Sequence, residues 1–430
     1  MSLISAMNIG TSGMESNSTD LSVIGDNIAN ANTIGFKASR TAFEEQLMQQ
    51  LIGGVGVPGE GMGSRVEAIQ KLLTQGTLTS TGVATDLAIQ GNGMFVVKGT
   101  HDGMTGQYYT RAGQFTIDKD GYLVNQEGLK VQGYSANPST GVMQGQLGDL
   151  QVGHANEPAT ATKNITLRGN LDANSTLPAT TPFDPTDPTS YNAKTNVTIY
   201  DSLGNSHDVT VYFVKTATGA WGWHATTDGA GLTGGTAGTQ TEIASGTLTY
   251  GPNGELTAMT TATNNFTPLG ATTPQALNFN FGTPPTGMDG ITQTGSTSGS
   301  AFTFTSQDGN AAGTLASLQV DQNGNVVAAF TNGDTRTIAE VALADFSAAD
   351  QLQRIGGNLY EQTTASGQPT IGQASSGGRG AIVAGALEQS NVDLANEFVR
   401  MIAAQRGFEA NSKTISTADQ LLTELMQLKR

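Results

Sequence analysis

Apolar residues recur every seven positions near both ends of this chain, and the long middle lacks this repeat. Near the C-terminus the repeat consists of Leu387, Leu394, Met401, Phe408, Ile415 and Leu422, and near the N-terminus of Met7, Met14, Leu21 and Ile28. With 37% of all residues apolar, six such positions in one fixed register arise by chance about 3 times in 1,000. The repeat therefore predicts a helix at each end, each with an apolar stripe that faces a partner helix.

The partner of each predicted helix is either the other terminal helix or a helix in another copy of the chain. In such a repeat the position four residues after each apolar residue also faces the partner helix. Near the C-terminus this second position is mostly polar, and the mixed stripe favours packing in a crowded assembly over a two-stranded coiled coil. An ordinary intramolecular helix pair that closes one domain also explains the spacing. The candidate self-assembly residues are Met7, Met14, Leu21, Ile24, Ile28, Leu387, Leu394, Phe398, Met401, Phe408, Ile415, Leu422 and Leu425.

The segments next to the two helices carry turn and capping signals. Residues 3–28 are predicted to be helical, and the Asn and Gly residues that follow, up to Lys37, predict a defined turn. From Arg40 a short helical run is expected on the spacing of Phe43, Leu47 and Leu51, which passes into a Gly-rich extended arm ending near Gly63. The C-terminal helix is expected to open with the capping-box pattern of Ser390 and Asp393.

Alternating apolar residues between the helices predict three β-rich regions. Their strands are expected within residues 86–124, with a turn at Asp120-Gly121, and within residues 197–213 and 316–346. Surface loops are expected at 228–241, 283–300 and 363–380.

This order of elements is nested, because domains strung in sequence would leave two long helices with nothing to cover their stripes. The predicted fold class is α+β, mainly β, with a coiled-coil-like layer of terminal helices and two nested β-rich domains, the second inserted in the first. The predicted parts are a terminal helical assembly domain (1–35 with 390–430), an extended arm or linker (36–72), an inner β domain (73–164 with 313–389) and an inserted outer β domain (165–312).

Composition and charge exclude several classes of protein. Charged residues make up 13% of the chain and 56 of the 430 residues are Gly, which favours Gly-punctuated β-structure. The formal net charge is −16, so the sequence offers no basic stripe for nucleic acid. Without cysteine the chain has no disulfide framework. The first basic residue is Lys37 and no apolar run approaches the length of a membrane span, so neither a cleavable signal peptide nor membrane insertion is predicted.

No residue pattern predicts a catalytic, cofactor-binding or metal site, so the protein is not expected to be an enzyme. The glycines between Gly54 and Gly59 have the spacing of a dinucleotide-binding fingerprint, but no strand precedes them. The interpretation of Trp221 and Trp223 as core residues is favoured over a ligand-binding face. His101, His154, His207 and His224 lack metal-ligand spacing and are expected to be solvated or hydrogen-bonded.

The run from Asp20 to Lys37 closely resembles the N-terminal signature of the bacterial flagellar rod and hook proteins. The runs Gly385–Leu394 and Gln405–Asn411 resemble its C-terminal counterpart, and Thr198–Asn205 and Ile355–Tyr360 resemble the hook members of that family. The resemblance covers nearly the whole chain and is least diagnostic at 225–312. The signature residues are Asn27, Asn30, Asn32, Thr33, Gly35, Phe36 and Lys37.

This resemblance implies a structural subunit of a helical homopolymer, the short curved tube that joins the flagellar rod to the filament and acts as a universal joint. The implied partners are other copies of the chain, the rod and hook-filament junction proteins, the hook cap during assembly, and the flagellar type III export apparatus. The implied location is the extracellular hook, with no cofactor. A distal-rod subunit, or a secreted β-rich adhesive or carbohydrate-binding protein, is the alternative.

Overall fold

The computed structural model describes residues 3–47, 61–137, 141–285 and 288–427. In this part of the chain two long helices lie near the ends and 28 strands lie between them, so the predicted α+β, mainly β class is confirmed. In chain order the elements are α1 Leu3–Ala29, β1 Ser39–Leu47, β2 Gly61–Lys71, β3 Leu78–Ser80, β4 Leu87–Gln90, β5 Met94–His101, β6 Met104–Thr110, β7 Thr116–Ile117, β8 Leu123–Val124, β9 Lys130–Ala136, β10 Met143–Asp149, β11 Asn156–Glu157, β12 Asn164–Asp172, β13 Ala193–Tyr200, β14 Ser206–Ala217, β15 Ala220–Asp228, β16 Gln240–Tyr250, β17 Leu256–Asn264, β18 Asn278–Asn280, β19 Ile291–Thr294, β20 Ala301–Gln307, β21 Gly313–Val320, β22 Asn325–Phe330, β23 Thr335–Asp345, β24 Gln353–Gly356, β25 Leu359–Glu361, β26 Thr370–Gln373, β27 Ala381–Ala384, β28 Ala386–Glu388 and α2 Leu394–Gln427.

The described residues form two compact units. The first unit comprises Met1–Ala155, Ser317–Ala329 and Thr335–Arg430, and the second comprises Asn156–Ala316 and Phe330–Asp334. Both helices therefore belong to the first unit, together with the β-strands at either end of the chain.

In the first unit, α1 and α2 pack side by side and run antiparallel. Gly10, near the start of α1, contacts Ile415, whereas Asn17, further along α1, contacts Gly407, which comes earlier in α2. The helix predicted at residues 3–28 is confirmed, since α1 covers Leu3–Ala29.

The start of α2 corrects the sequence-based prediction. Asp393 is the N-terminal cap, because its Oδ1 accepts a hydrogen bond from the N–H of Ala395 at 2.9 Å. Ser390 lies before the helix, and Leu387, which the repeat placed on it, lies in β28 opposite Thr79 of β3. Gly385, with φ of +65°, directs the chain into this short strand pair.

The β-rich part of the first unit is a sheet with the strand order β22-β23-β9-β5-β6-β25-β24. One of its hydrophobic clusters contains Met94, Val96, Tyr109, Ala344, Phe346, Leu352 and Tyr360. The predicted turn at Asp120-Gly121 is confirmed, since Gly121 has φ of +79° and joins β7 to the paired strand β8. The small pairs β3–β28 and β4–β27 place the C-terminal segment beside the first β region.

The second unit is built on two sheets that enclose one hydrophobic core. One sheet has the antiparallel order β13-β14-β15-β16-β17, and in the other β12 pairs with β18, β19 and β20. The strands predicted within residues 197–213 are confirmed as the β13–β14 pair, which turns at residues 201–205. Trp221 and Trp223 are fully buried in this core, so their interpretation as core residues is confirmed.

Three further local predictions were wrong. The helical run expected from Arg40 is instead strand β1, which pairs with β2. The bond from Asn27 Nδ2 to the carbonyl of Ser39 at 2.8 Å holds β1 against α1, and the bond from Ser16 Oγ to the carbonyl of Ser64 at 3.0 Å holds β2 there. Residues 48–60, including Leu51, lie outside the described residues. The expected loops at 283–300 and 363–380 contain the short strands β19 and β26, whose partners β12 and β23 are distant in sequence. Such pairing leaves no local signal.

Candidate self-assembly site

Small residues allow the two terminal helices to approach closely. A Cβ atom added to Gly10 would lie 2.8 Å from Cγ1 of Ile415, and one added to Gly13 would lie 2.5 Å from Nδ2 of Asn411. Ala404 and Ala418 of α2 are buried. At Gly10 and Gly13 the contact therefore has no room for a side chain on α1, because Ile415 and Asn411 of α2 fill the space.

Polar side chains join the helices at the end nearest the β-structure. The fully buried Asn27 donates from Nδ2 to Oε2 of Glu397 at 3.1 Å and to the carbonyl of Ser39 at 2.8 Å. Arg400 donates to Oε1 of Glu397 at 3.0 Å and to Oδ1 of Asp20 at 3.3 Å. These bonds couple the register of α2 to that of α1, because a shifted helix would leave buried polar groups unpaired.

The candidate apolar residues fall into three groups by exposure. Ile24 on α1 and Leu387 in β28 are buried. Seven are half-buried, and among them Ile415 lies against Gly10 of α1: Met7, Met14, Leu21, Ile28, Met401, Ile415 and Leu422. Leu394, Phe398 and Phe408 are exposed; the side chain of Leu425 lies outside the described residues. Part of the seven-residue repeat therefore serves the intramolecular helix pair, and part of it remains uncovered.

The structure adds residues that the repeat missed. Val399 is 67% exposed and Ile402 is 53% exposed, and Leu421 is exposed as well. Val399 and Ile402 lie off the seven-residue stripe, so the only sequence signal for them is that the first turns of α2 are apolar on several sides. Leu394, Phe398 and Ile402 follow one another at four-residue spacing and so share one side of α2. Adjacent exposed apolar side chains of this kind mark a surface that binds a partner. We name the set Leu394, Phe398, Val399, Ile402, Phe408 and Leu421 the exposed α2 face.

The signature residues that follow α1 shape its exit. Asn30 donates from Nδ2 to the carbonyl of Asp26 at 2.9 Å and accepts a bond from Thr33 Oγ1 at 3.0 Å; Asn32 is exposed. Gly35 has φ of +70°, and a Cβ atom there would lie 2.6 Å from the backbone nitrogen of Ala112. This position therefore requires glycine.

The next two signature residues anchor the N-terminal segment to the β-structure. Phe36 is buried with the Arg354 guanidinium 4.8 Å from its ring centroid. Lys37 is also buried, and its Nζ donates to Oε1 of Glu388 at 2.6 Å and to the carbonyl of Thr74 at 2.8 Å. A charged group is found this deep only when it is paired.

Arg111 completes a buried charge cluster with Lys37 and Glu388. Its Nε donates to Oε2 of Glu388 at 2.6 Å, and its other nitrogens donate to the carbonyls of Ile89, Gly91 and Gly93. We name Lys37, Arg111 and Glu388 the junction cluster, because it joins the N-terminal signature, the β-sheet and the segment that leads into α2.

Burial and charge act in opposite directions on the junction cluster. Burial raises the pKa of Glu388, but the charge of Arg111 and the bond from Lys37 outweigh it, so the pKa is held below its usual range. Burial lowers the pKa of Lys37, and the bond from Glu388 offsets this only in part. Burial of the charged Lys37 thus carries a net electrostatic cost. Glu388 supplies the negative charge that allows both Lys37 and Arg111 to be buried.

Sequence reasoning identified Lys37 but missed Arg111, Glu388 and Asn391. Asn391 accepts a bond from the N–H of Ala38 at 2.8 Å and donates to the carbonyl of Leu72 at 2.7 Å. Glu388 and Asn391 lie in the C-terminal run that resembled the family signature, which was their only sequence signal. Lys37 and Glu388 are 351 positions apart, so no local pattern links them.

The four histidines are all hydrogen-bonded, as expected. His101, His207 and His224 lie against Glu127, Asp201 and Glu242 respectively, at 2.8, 3.2 and 2.7 Å, and His154 lies 3.3 Å from the carbonyl of Lys119. Among the described residues no group of three or more potential ligands is placed to hold a metal ion. In the same part of the chain no helix combines the length and apolarity needed to cross a membrane.

Four family models match consecutive parts of the chain. They are "Flagella basal body rod protein" at residues 7–37, "Flagellar hook protein FlgE/F/G D1 domain" at 88–173, "Flagellar basal body protein FlaE D2 domain" at 170–310, and "Flagellar basal body rod FlgEFG protein C-terminal" at 383–428. The two terminal matches contain the signature residues and the exposed α2 face.

Several relatives are similar over the full length. The flagellar hook protein FlgE of Salmonella typhimurium is 34% identical over 97% of this chain and 98% of its own. That of Borreliella burgdorferi is 36% identical over 98% of both chains, and that of Rhizobium meliloti is 35% identical over 100% of both. The match to the crystal structure of Helicobacter pylori flagellar hook protein FlgE2 covers 71% of this chain and 98% of that one, at 15% identity and with a TM-score of 0.47.

Proposed function

This chain belongs to the flagellar hook protein family, and we propose that it is a structural subunit of the bacterial flagellar hook. In this role copies of the chain assemble into a helical tube that joins the rod to the filament and transmits torque as a universal joint. The three full-length relatives are all named hook proteins, which favours the hook over a distal-rod subunit or an adhesive protein.

The observation that carries the assembly proposal is the exposed α2 face. One side of α2 already holds α1 through Gly10, Gly13 and the buried alanines, so the uncovered apolar residues have no partner left within the helix pair. Full burial of one such side chain contributes about 1.5 to 3 kcal/mol. Six partly exposed ones supply on the order of 5 kcal/mol per subunit before the cost of ordering.

A pair of substitutions on this face tests the proposal. We expect the double variant Phe398→Ser and Ile402→Ser to fold but not to form tubes, because it removes two large apolar side chains that are exposed in the single chain. The matched control is Gln405→Ser and Glu409→Ser, which changes exposed polar residues of the same helix. Sedimentation and electron microscopy measure assembly, and far-ultraviolet circular dichroism measures folding.

The outcome separates two causes. If the Phe398→Ser and Ile402→Ser double variant forms tubes at the concentration at which the unchanged protein does, the exposed α2 face is not required for assembly. Loss of assembly in the control as well would instead place the effect in the stability of the helix rather than in apolar contact.

The proposed role brings further partners and a location. The tube ends meet the rod and the hook-filament junction proteins, a hook cap acts during assembly, and the flagellar type III apparatus exports the chain to the extracellular hook. Within the subunit, the proposed division is a terminal assembly domain (1–35 with 390–430), an arm (36–72), an inner β domain (73–164 with 313–389) and an inserted outer β domain (165–312).

A further inference from the structure

We propose that Asn92 is a built-in modification site of the folded chain, where it loses its amide nitrogen spontaneously to become aspartate and isoaspartate. Four Asn residues precede Gly in this chain: Asn92, Asn253, Asn323 and Asn332. Glycine is the following residue that hinders the reaction least, because it has no side chain and is conformationally free. Sequence alone ranks the four sites equally.

The folded structure blocks three of these sites by the same contact. The N–H groups of Gly254, Gly324 and Gly333 each donate to a carbonyl three residues earlier in a tight turn, at 3.0 Å in every case. The glycine nitrogen is the attacking atom of the reaction, so a bonded N–H must first be released. Asn332 is held further, since its Nδ2 donates to the carbonyl of Ala311 at 2.9 Å.

Asn92 and Gly93 lack these restraints. Within the described residues the N–H of Gly93 makes no hydrogen bond, and the exposed side chain of Asn92 has no partner. The carbonyl of Asn92 accepts a bond from the N–H of Gly380 at 2.7 Å, which draws electron density from the peptide group and makes the N–H of Gly93 easier to deprotonate. The side chain is therefore free to rotate toward a nucleophile that is already available.

Charge near the loop acts in the same direction. The Arg111 guanidinium donates to the carbonyl of Gly91 at 2.6 Å and to that of Gly93, the residues on either side of Asn92. A positive charge this close stabilises the amide anion that attacks, and the oxyanion that follows. Asp345 lines the same cavity and its negative charge weakens this effect.

The chemistry needs only water. The deprotonated nitrogen of Gly93 forms a bond to Cγ of Asn92, the Cγ–Nδ2 bond breaks, and the nitrogen leaves as ammonia with the proton taken from solvent. Water then opens the resulting succinimide at either carbonyl and restores a chain with one carboxylate. Opening at one carbonyl gives aspartate, and opening at the other gives isoaspartate, which adds a methylene to the backbone.

The product changes a defined place in the fold. Asn92 and Gly93 line a cavity of about 220 Å³ together with Lys37 and Arg111, so conversion adds a negative charge next to the junction cluster. The isoaspartate form also lengthens the loop between β4 and β5, whose carbonyls hold Arg111. Old and new copies of the chain therefore differ at the place where the N-terminal signature meets the sheet.

The test follows all four sites in one sample of the full-length protein at neutral pH and physiological temperature. Digestion with an acid protease limits amide loss during work-up, and mass spectrometry measures the fraction of each site converted over time. A hydrogen bond contributes a factor of about 2 to 10 to an equilibrium, so Asn92 is expected to convert at least about threefold faster than each of the other three sites.

A parallel sample in denaturant provides the control, because unfolding removes every structural difference between the sites. There the four rates are expected to agree within about twofold, less than one typical hydrogen bond is worth. The variant Asn92→Gln, which needs a less favourable six-membered ring, is expected to lose the fast phase. A ratio of Asn92 to the other sites that is the same folded and unfolded, or slower conversion of Asn92 in the folded protein, overturns the proposal.

Discussion

Replacing Glu388 by Gln in the full-length protein is expected to destabilise the first unit severely. Gln keeps the size of the side chain but removes the only anion of the junction cluster, so Lys37 and Arg111 remain buried without a counter-charge. Breaking a buried ion pair by removing one partner costs about 3 to 5 kcal/mol. With two cations sharing one anion, we expect the upper part of that range.

The matched variant is Lys37→Met, and it is expected to cost only about 1 kcal/mol. It leaves Arg111 and Glu388 as a neutral pair, and the carbonyl of Thr74 keeps the bond from Asn391 Nδ2 at 3.1 Å. The lowered pKa of Lys37 points the same way, since burial already disfavours its charged form. The two variants alter the same contact, so the difference between them measures the unbalanced charge.

Amide hydrogen exchange during chemical unfolding is the suitable assay. Trp221 and Trp223 both lie in the second unit, so their fluorescence reports on that unit and serves as an internal control. Peptides from β3, β4, β27 and β28 are expected to exchange sooner in the Glu388→Gln variant, while the fluorescence transition stays in place.

The pH dependence follows from the pKa of Glu388. Its folded-state pKa lies below its ordinary value of 4.5, so its stabilising contribution is complete above that value and is lost as the pH falls through the folded-state pKa. The gap between Glu388→Gln and the unchanged protein should therefore be full at neutral pH and close in acid. Equal destabilisation by Glu388→Gln and Lys37→Met, or a gap independent of pH, would refute the reasoning.

Two further predictions concern a pair of glycines, one crowded and one open to solvent, and a buried aspartate. Gly35→Ala is expected to lower the free energy of unfolding by about 1 to 3 kcal/mol, because φ is +70° and the added Cβ would meet the backbone of Ala112. Gly25→Ala should instead stabilise α1, because the added Cβ would have nothing within 4 Å. The amide hydrogen exchange rates of the α1 peptides compare the two variants. Asp201→Asn is expected to lower the tryptophan-fluorescence unfolding midpoint of the second unit at neutral pH. Burial raises the pKa of Asp201, but the bonds from Asn205, His207 and Leu203 outweigh it and hold the pKa below 3.8. The difference in midpoint between Asp201→Asn and the unchanged protein should therefore vanish in acid, as that carboxyl protonates. An unchanged difference in midpoint at low pH would contradict this.

Local sequence patterns were sufficient to predict an element when its hydrogen-bond partners lie close to it in sequence. The helix α1 and the β13–β14 pair follow from their repeats, because a helix bonds within itself and a hairpin bonds to the next residues along the chain. They failed for β1, where the spacing of Phe43 and Leu47 matched a helix but pairing with β2 and packing on α1 selected a strand.

The candidate site divides in the same way. The sequence by itself determined that both ends carry an apolar seven-residue repeat and a family signature, since these depend only on residue type and spacing. Only the tertiary structure decided which apolar residues are buried and which stay exposed, as Ile24 and Phe398 are respectively. It also decided that Lys37, Arg111 and Glu388 meet, because burial and charge pairing between residues more than two hundred positions apart are properties of the packed chain and leave no trace in local pattern.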